Sequence, residues 1–159
     1  MKYKFLPHTA DMKIQAQGRT LEEAFENSAL ALKEAIAGKI KIKPAIEKKI
    51  KVKGRDNEAL LYKFLEEFLY LLDAKGFLVG KIKKIKIKNN ELEAVIVGDK
   101  ASNYKFTNEV KAVTYNEMFV KHQKSKISGA TKSKTAPYEN PKDFQFLASH
   151  EASDTRRMG

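Results

Sequence analysis

The chain contains no cysteine. That excludes disulfides and thiolate metal sites, and it suits a cytoplasmic protein. Arginine is scarce, confined to Arg19, Arg55, Arg156 and Arg157, so bidentate recognition of phosphates or bases has few candidates. No apolar run reaches eighteen residues, which excludes a helical membrane span. The start, Met1-Lys2-Tyr3-Lys4, lacks the apolar core of a secretory signal. The nucleotide motifs Gly-x-x-x-x-Gly-Lys-Ser/Thr and Gly-x-Gly-x-x-Gly are missing, as are the Gly-x-Ser-x-Gly elbow and the aromatic signatures of RNA-binding sheets. The histidines, His8, His122 and His150, have no metal-ligand spacing, so a zinc site is not expected.

What is present is charge and pattern. The 159 residues fit one domain with a real core, and 42% of them are apolar. The formal charge is +11, almost all from lysine. One explanation is a surface that attracts RNA phosphates or an acidic partner. The other is a compositional lysine bias of the kind seen in some thermophiles. Composition leaves both open.

Residues 3–6 and 13–17 read as strands, separated by the irregular passage Pro7-His8-Thr9-Ala10-Asp11, where proline cannot donate to a ladder. Thr20 opens a helix, with Glu23 completing a capping box. Leu21, Ala24, Phe25, Ser28, Ala29, Leu32 and Ile36 form its apolar stripe, and Gly38 stops it. Residues 46–53 alternate with period two, a strand with one wet side. Asp56 or Asn57 caps a second helix over 58–74, apolar around more than one stripe and therefore expected to be largely buried. Strands follow at 82–88 and 91–97, joined by an Asn89-Asn90 turn. Residues 98–108 read as loop. The last strand pattern covers 110–120, with Val110, Ala112 and Thr114 on one face and Lys111, Val113 and Tyr115 on the other. From 122 to 159 the chain is polar, with Phe144, Phe146 and Leu147 as a small apolar cluster, and is expected to be irregular or disordered. No internal repeat is visible. The element order predicts an α+β fold with two helices packed on one face of a mixed β-sheet, a domain over 1–121 and an irregular tail over 122–159.

Two residues carry candidate chemistry. Asp11 can donate a carboxylate to a hard cation, which needs six to eight oxygens, or it can cap its own turn. Lys111 can reach a phosphate or carboxylate, or it can snorkel to the sheet edge. The residues alone leave these alternatives open, and they supply no complete catalytic set.

Three stretches together resemble the archease family. They are His8-Thr9-Ala10-Asp11 with 18–27, the apolar run 60–71, and Glu109-Val110-Lys111-Ala112-Val113-Thr114-Tyr115. The match is in family order and covers residues 1 to about 121. It implies a non-enzymatic, cytoplasmic activator of an RtcB-type RNA ligase in tRNA splicing, promoting ligase guanylylation and multiple turnover. It also implies a bound divalent cation, commonly calcium. Asp11 corresponds to a family metal ligand and Lys111 to a functionally important lysine, with His8 and Glu109 as supporting candidates. Archeases normally end in a strand closing on an aspartate and an apolar residue. Nothing after Lys121 matches that pattern, so neither Asp143 nor Asp154 takes the ligand role. Two other classes compete: a basic module that binds tRNA directly, and a metal-dependent hydrolase, disfavoured by the shortage of carboxylates. The archease reading requires Asp11 and Lys111, a hundred positions apart, to meet at one rim of a sheet.

Overall fold

The computed structural model describes residues 3–8, 11–106, 110, 112–122 and 142–149. Its elements in chain order are β1 (Tyr3–His8), β2 (Asp11–Gly18), α1 (Leu21–Ala37), β3 (Ile46–Lys53), α2 (Asn57–Lys75), β4 (Phe77–Lys88), β5 (Glu91–Lys100), β6 (Ala112–His122) and β7 (Lys142–Ser149). The fold is α+β with two helices, as expected. The single mixed sheet is not: the strands form a four-stranded sheet ordered β1-β2-β7-β6 and a three-stranded sheet ordered β3-β5-β4. Every pairing in both is antiparallel. Both helices touch both sheets, so one hydrophobic core serves the whole assembly.

Local chemistry sets the helix ends. The Thr20 hydroxyl accepts the Glu23 amide at 3.0 Å. The Glu23 carboxylate reaches back to the Arg19 amide at 2.8 Å, one residue before the cap. Asp56, not Asn57, caps α2 by accepting the Ala59 amide at 2.8 Å. Gly76 ends α2 in the left-handed region at φ 62°. Asn89 and Asn90 both take positive φ, 52° and 61°, which gives the β4–β5 hairpin a turn matched to strand twist.

Four boundaries differ from the sequence expectation. β1 runs on through Pro7 to His8 and β2 begins at Asp11; β1 is an edge strand, where proline costs no ladder bond. β4 begins at Phe77, five residues early, because Phe77, Leu78 and Val79 are all buried and show no alternation. β5 continues through Gly98 to Lys100. A Cβ on Gly98 would lie 2.1 Å from the Leu78 carbonyl oxygen, so glycine is what lets β4 and β5 close there. The fourth correction is the tail. Lys142–Ser149 is not irregular but forms β7, inserted between β2 and β6. Asp143-Phe144-Gln145-Phe146 does alternate, but the run is too short to stand out from its polar surroundings.

The two sheets are related by an internal repeat that the sequence conceals. In the larger sheet Ala16, Phe144 and Val120 lie on one rung. In the smaller sheet Val52, Leu92 and Ile87 do. Two residues after Ala16 and Val52 come Gly18-Arg19-Thr20 and Gly54-Arg55-Asp56, each followed by its helix. The second residue of each helix is a glutamate that satisfies an edge amide of the opposite sheet. Glu22 accepts from Ile87 N at 3.2 Å, and Glu58 accepts from Val120 N at 2.9 Å. Each helix therefore blunts the open edge of the sheet it did not come from, where an unpaired strand invites aggregation.

The Tyr3 hydroxyl ties β1 to α1 by donating to Glu34 Oε1 at 2.6 Å. Burial first, then the Glu34 hydrogen bond and charge, push its pKa up to about 12. The neutral phenol is thus favoured in the folded state. Its stabilising contribution is complete below the ordinary tyrosine value, about 10, and is lost as pH rises toward about 12. A tyrosinate absorbance titration should show a late-titrating group that disappears in Tyr3→Phe. Uniform titration of all tyrosines near the ordinary value would contradict this.

Candidate functional site

The rim is built by register. His8 pairs with Asp11 across the first hairpin. Asp11 pairs with Ser149 of β7, and Ser149 pairs with Ala112 of β6. Asp11 and Ala112 therefore sit on one rung, two strand spacings or about 10 Å apart. Lys111 and Glu109 lie outside the described residues, but the chain on either side of Lys111 is anchored: Val110 is 1% exposed and Val113 3%. Burial of both corrects the strict alternation expected over 110–120. The β6 ladder is also irregular, its register shifting between Thr114 and Phe119, and such interruptions break the two-residue period.

The strand that reaches Asp11 brings a serine to its register, not an acid. Asp143 pairs with Gln17 and Lys121 at the far end of β7, six positions and about 20 Å from Ser149. Among the described residues no three histidines or carboxylates gather to hold a metal ion. One carboxylate beside one serine falls short of the oxygen shell a hard cation takes, so the described residues do not by themselves make a closed cation site.

The internal repeat carries this rung onto a second one. Five residues before Ala16 and Val52 stand Asp11 and Glu47, and Glu47 pairs through Val97 with Lys81. There the Glu47 carboxylate meets the amine of Lys83, on the far edge strand, at 3.1 Å. A lysine can thus span from the edge strand to the acid in this framework.

A second polar cluster lies at the end of β5. Asp99 accepts from the Tyr104 hydroxyl at 2.7 Å, the Lys100 amide at 2.8 Å and Asn103 Nδ2 at 3.3 Å. The Tyr104 hydroxyl in turn accepts the Lys43 amide at 2.9 Å. These bonds, the one from Tyr104 foremost, hold the Asp99 carboxyl below its ordinary pKa. All of Asp99's partners are internal, so the cluster is a clasp that pins the segment after α1 against β4. Ile42 of that segment lies against Gly80. Ile40–Lys43, which alternates like a strand, makes no ladder there.

The fold is a two-sheet α+β frame in which Asp11 of β2 and Ala112 of β6 stand two strands apart on one rung. The family model described as the Archease protein family matches residues 3–131, and the chain belongs to that family. Among its relatives, the protein archease of Pyrococcus furiosus is 44% identical over 124 residues, 74% of this chain and 86% of the relative. That of Pyrobaculum neutrophilum is 39% identical over 125 residues, 75% and 85% of the two chains. The solution structure of Methanobacterium thermoautotrophicum protein 1598 superposes with a TM-score of 0.67 at 27% identity, covering 92% of this chain and 97% of that one. A Thermotoga maritima archease crystal structure, named a possible chaperone, shares the fold at TM-score 0.54 and 22% identity, with 92% and 96% covered. No helix among the described residues is long and apolar enough to cross a membrane.

Proposed function

We propose that this archease is a cytoplasmic protein cofactor in tRNA splicing. It promotes guanylylation and multiple turnover of an RtcB-type RNA ligase without performing the ligation itself. Asp11 and Lys111 are the working groups, with His8 and Glu109 in support. The observation that carries this reading is the rung on which Asp11 and Ala112 stand either side of Ser149. It supports a shared surface for residues from the two family motifs. An acid and an amine brought to one rim would offer opposite charges, an arrangement suited to orienting a metal–triphosphate group in a partner's nucleotide site. A divalent cation, calcium in the family pattern, would have Asp11 as its ligand here and draw its remaining oxygens from other groups.

The test is a multiple-turnover ligation assay with a cognate ligase. Wild-type protein should raise turnover. Asp11→Ala and Lys111→Ala should each keep the thermal melt and lose at least about tenfold of the stimulation, the effect of removing one well-placed charge. Stimulation by both variants at the wild-type level would remove the site assignment.

A further inference from the structure

The outer face of the three-stranded sheet is far more basic than the rest of the described molecule. It carries eight exposed lysines and three glutamates. Lys49, Lys51 and Lys53 line β3, and Lys84, Lys86 and Lys88 line β4, with β5 between them. The bulge between Ile82 and Lys84 adds Lys83 to the same face, since a bulge turns two successive side chains one way. The middle strand's acids are taken up on the β3 side: Glu93 pairs with Lys51 at 3.6 Å and Glu91 with Lys53 at 3.4 Å. Among the described residues Lys84, Lys86 and Lys88 make no ion pair.

A uniform lysine bias does not explain this. The two helices hold only Lys33, Lys63 and Lys75 against eight carboxylates. Positive charge is concentrated on one sheet while the helices are acidic. Opposite charges across the strands offset this only in part: Glu93 stands between Lys51 and Lys86 and Glu91 between Lys53 and Lys88, one acid for two lysines, and Val95 stands between Lys49 and Lys84.

We infer that this face binds the phosphate backbone of double-helical RNA. Lysines repeat about every 6.7 Å along each strand, in rows about 10 Å apart. That is a two-rail array of point charges which neutralises phosphates without reading bases. Among the described residues no helix or ribbon projects from this face to enter a B-DNA major groove, whereas an A-form helix offers a wide, shallow minor groove bordered by phosphates. An acidic protein fits less well. Protein interfaces centre on aromatic or aliphatic anchors, and the exposed large hydrophobic of the described residues, Tyr70, lies on α2. The inference does not rest on ligase activation, and its test contains no ligase.

Fluorescence anisotropy with an unmodified tRNA transcript should detect binding at low salt. Lys84→Glu, Lys86→Glu and Lys88→Glu together should weaken it at least about tenfold and lower the log–log salt slope by about 3. The control Lys39→Glu, Lys75→Glu and Lys105→Glu makes the same charge change at exposed sites elsewhere and should stay within about threefold of wild type. If the glutamate triple does not fold, the milder lysine-to-glutamine triple at 84, 86 and 88 carries the same comparison. Equal losses in the two triples would overturn the inference. So would no binding at low salt, equal affinity for duplex DNA of matched length, or tighter binding of polyglutamate than of tRNA.

Discussion

Truncating Phe64 to alanine should cost about 3–5 kcal/mol of folding stability, as losing a fully buried phenyl ring does in a core that cannot collapse around the void. Phe64 is 0% exposed. It is also where the two helices meet. Its ring stacks on Phe25 of α1 at a centroid distance of 6.3 Å and meets Phe68 edge-on at 5.3 Å. Each such aromatic pair adds to the area term. Small domains hold only about 5–15 kcal/mol in total, so the variant should be poised near unfolding at physiological temperature. Urea denaturation gives the loss as a fall in midpoint at constant slope. Leu71→Ala, on the partly buried side of the same helix, should cost clearly less, because fewer contacts are lost there. A loss below about 1 kcal/mol for Phe64→Ala would mean that α2 is not wedged between the sheets as described.

Both helices were legible in the sequence because caps, stripe and stop agreed. Thr20 with Glu23, Asp56, Gly38 and Gly76 each mark an end in local chemistry that needs no tertiary partner. The β4–β5 hairpin was equally plain from Asn89-Asn90. The split into two sheets was not, because pairing is a long-range property: nothing local says that β3 seeks β5 and β2 seeks β7. β7 was missed for a related reason. Its short alternation gains meaning only once β2 and β6 offer edges on either side. At the candidate site, Asp11 and Lys111 stand out from the residues alone only as open alternatives, and the family resemblance is what attaches roles to them. The lysine face is visible as the repeated Ile-Lys pattern of 85–88 and the alternating Lys49, Lys51 and Lys53. Its importance depends on registry, which puts the two runs side by side with β5 and leaves the helices acidic.

Gly18→Ala and Gly54→Ala should each destabilise the protein by about 3 kcal/mol, the upper end for forcing extra volume into a packed site. A Cβ on Gly18 would lie 2.3 Å from the Ala24 nitrogen, and one on Gly54 would lie 2.5 Å from the Leu60 nitrogen. Both obstacles are helix backbone six residues on, which cannot rotate aside as a side chain can. Gly38 and Gly76 provide the contrast. Each has positive φ but open space around the missing Cβ, so alanine there should cost only the conformational penalty, about 1–2 kcal/mol. The internal repeat adds a sharper expectation. Pushing α2 away from Gly54 displaces Glu58 from the Val120 amide at the edge of the four-stranded sheet. Pushing α1 away from Gly18 displaces Glu22 from the Ile87 amide at the edge of the three-stranded one. Hydrogen exchange should therefore quicken at Val120 in Gly54→Ala and at Ile87 in Gly18→Ala, each on the sheet opposite the substitution. Loss of protection confined to the sheet that carries the mutated glycine would show that the crossed capping by Glu22 and Glu58 does not hold the two edges.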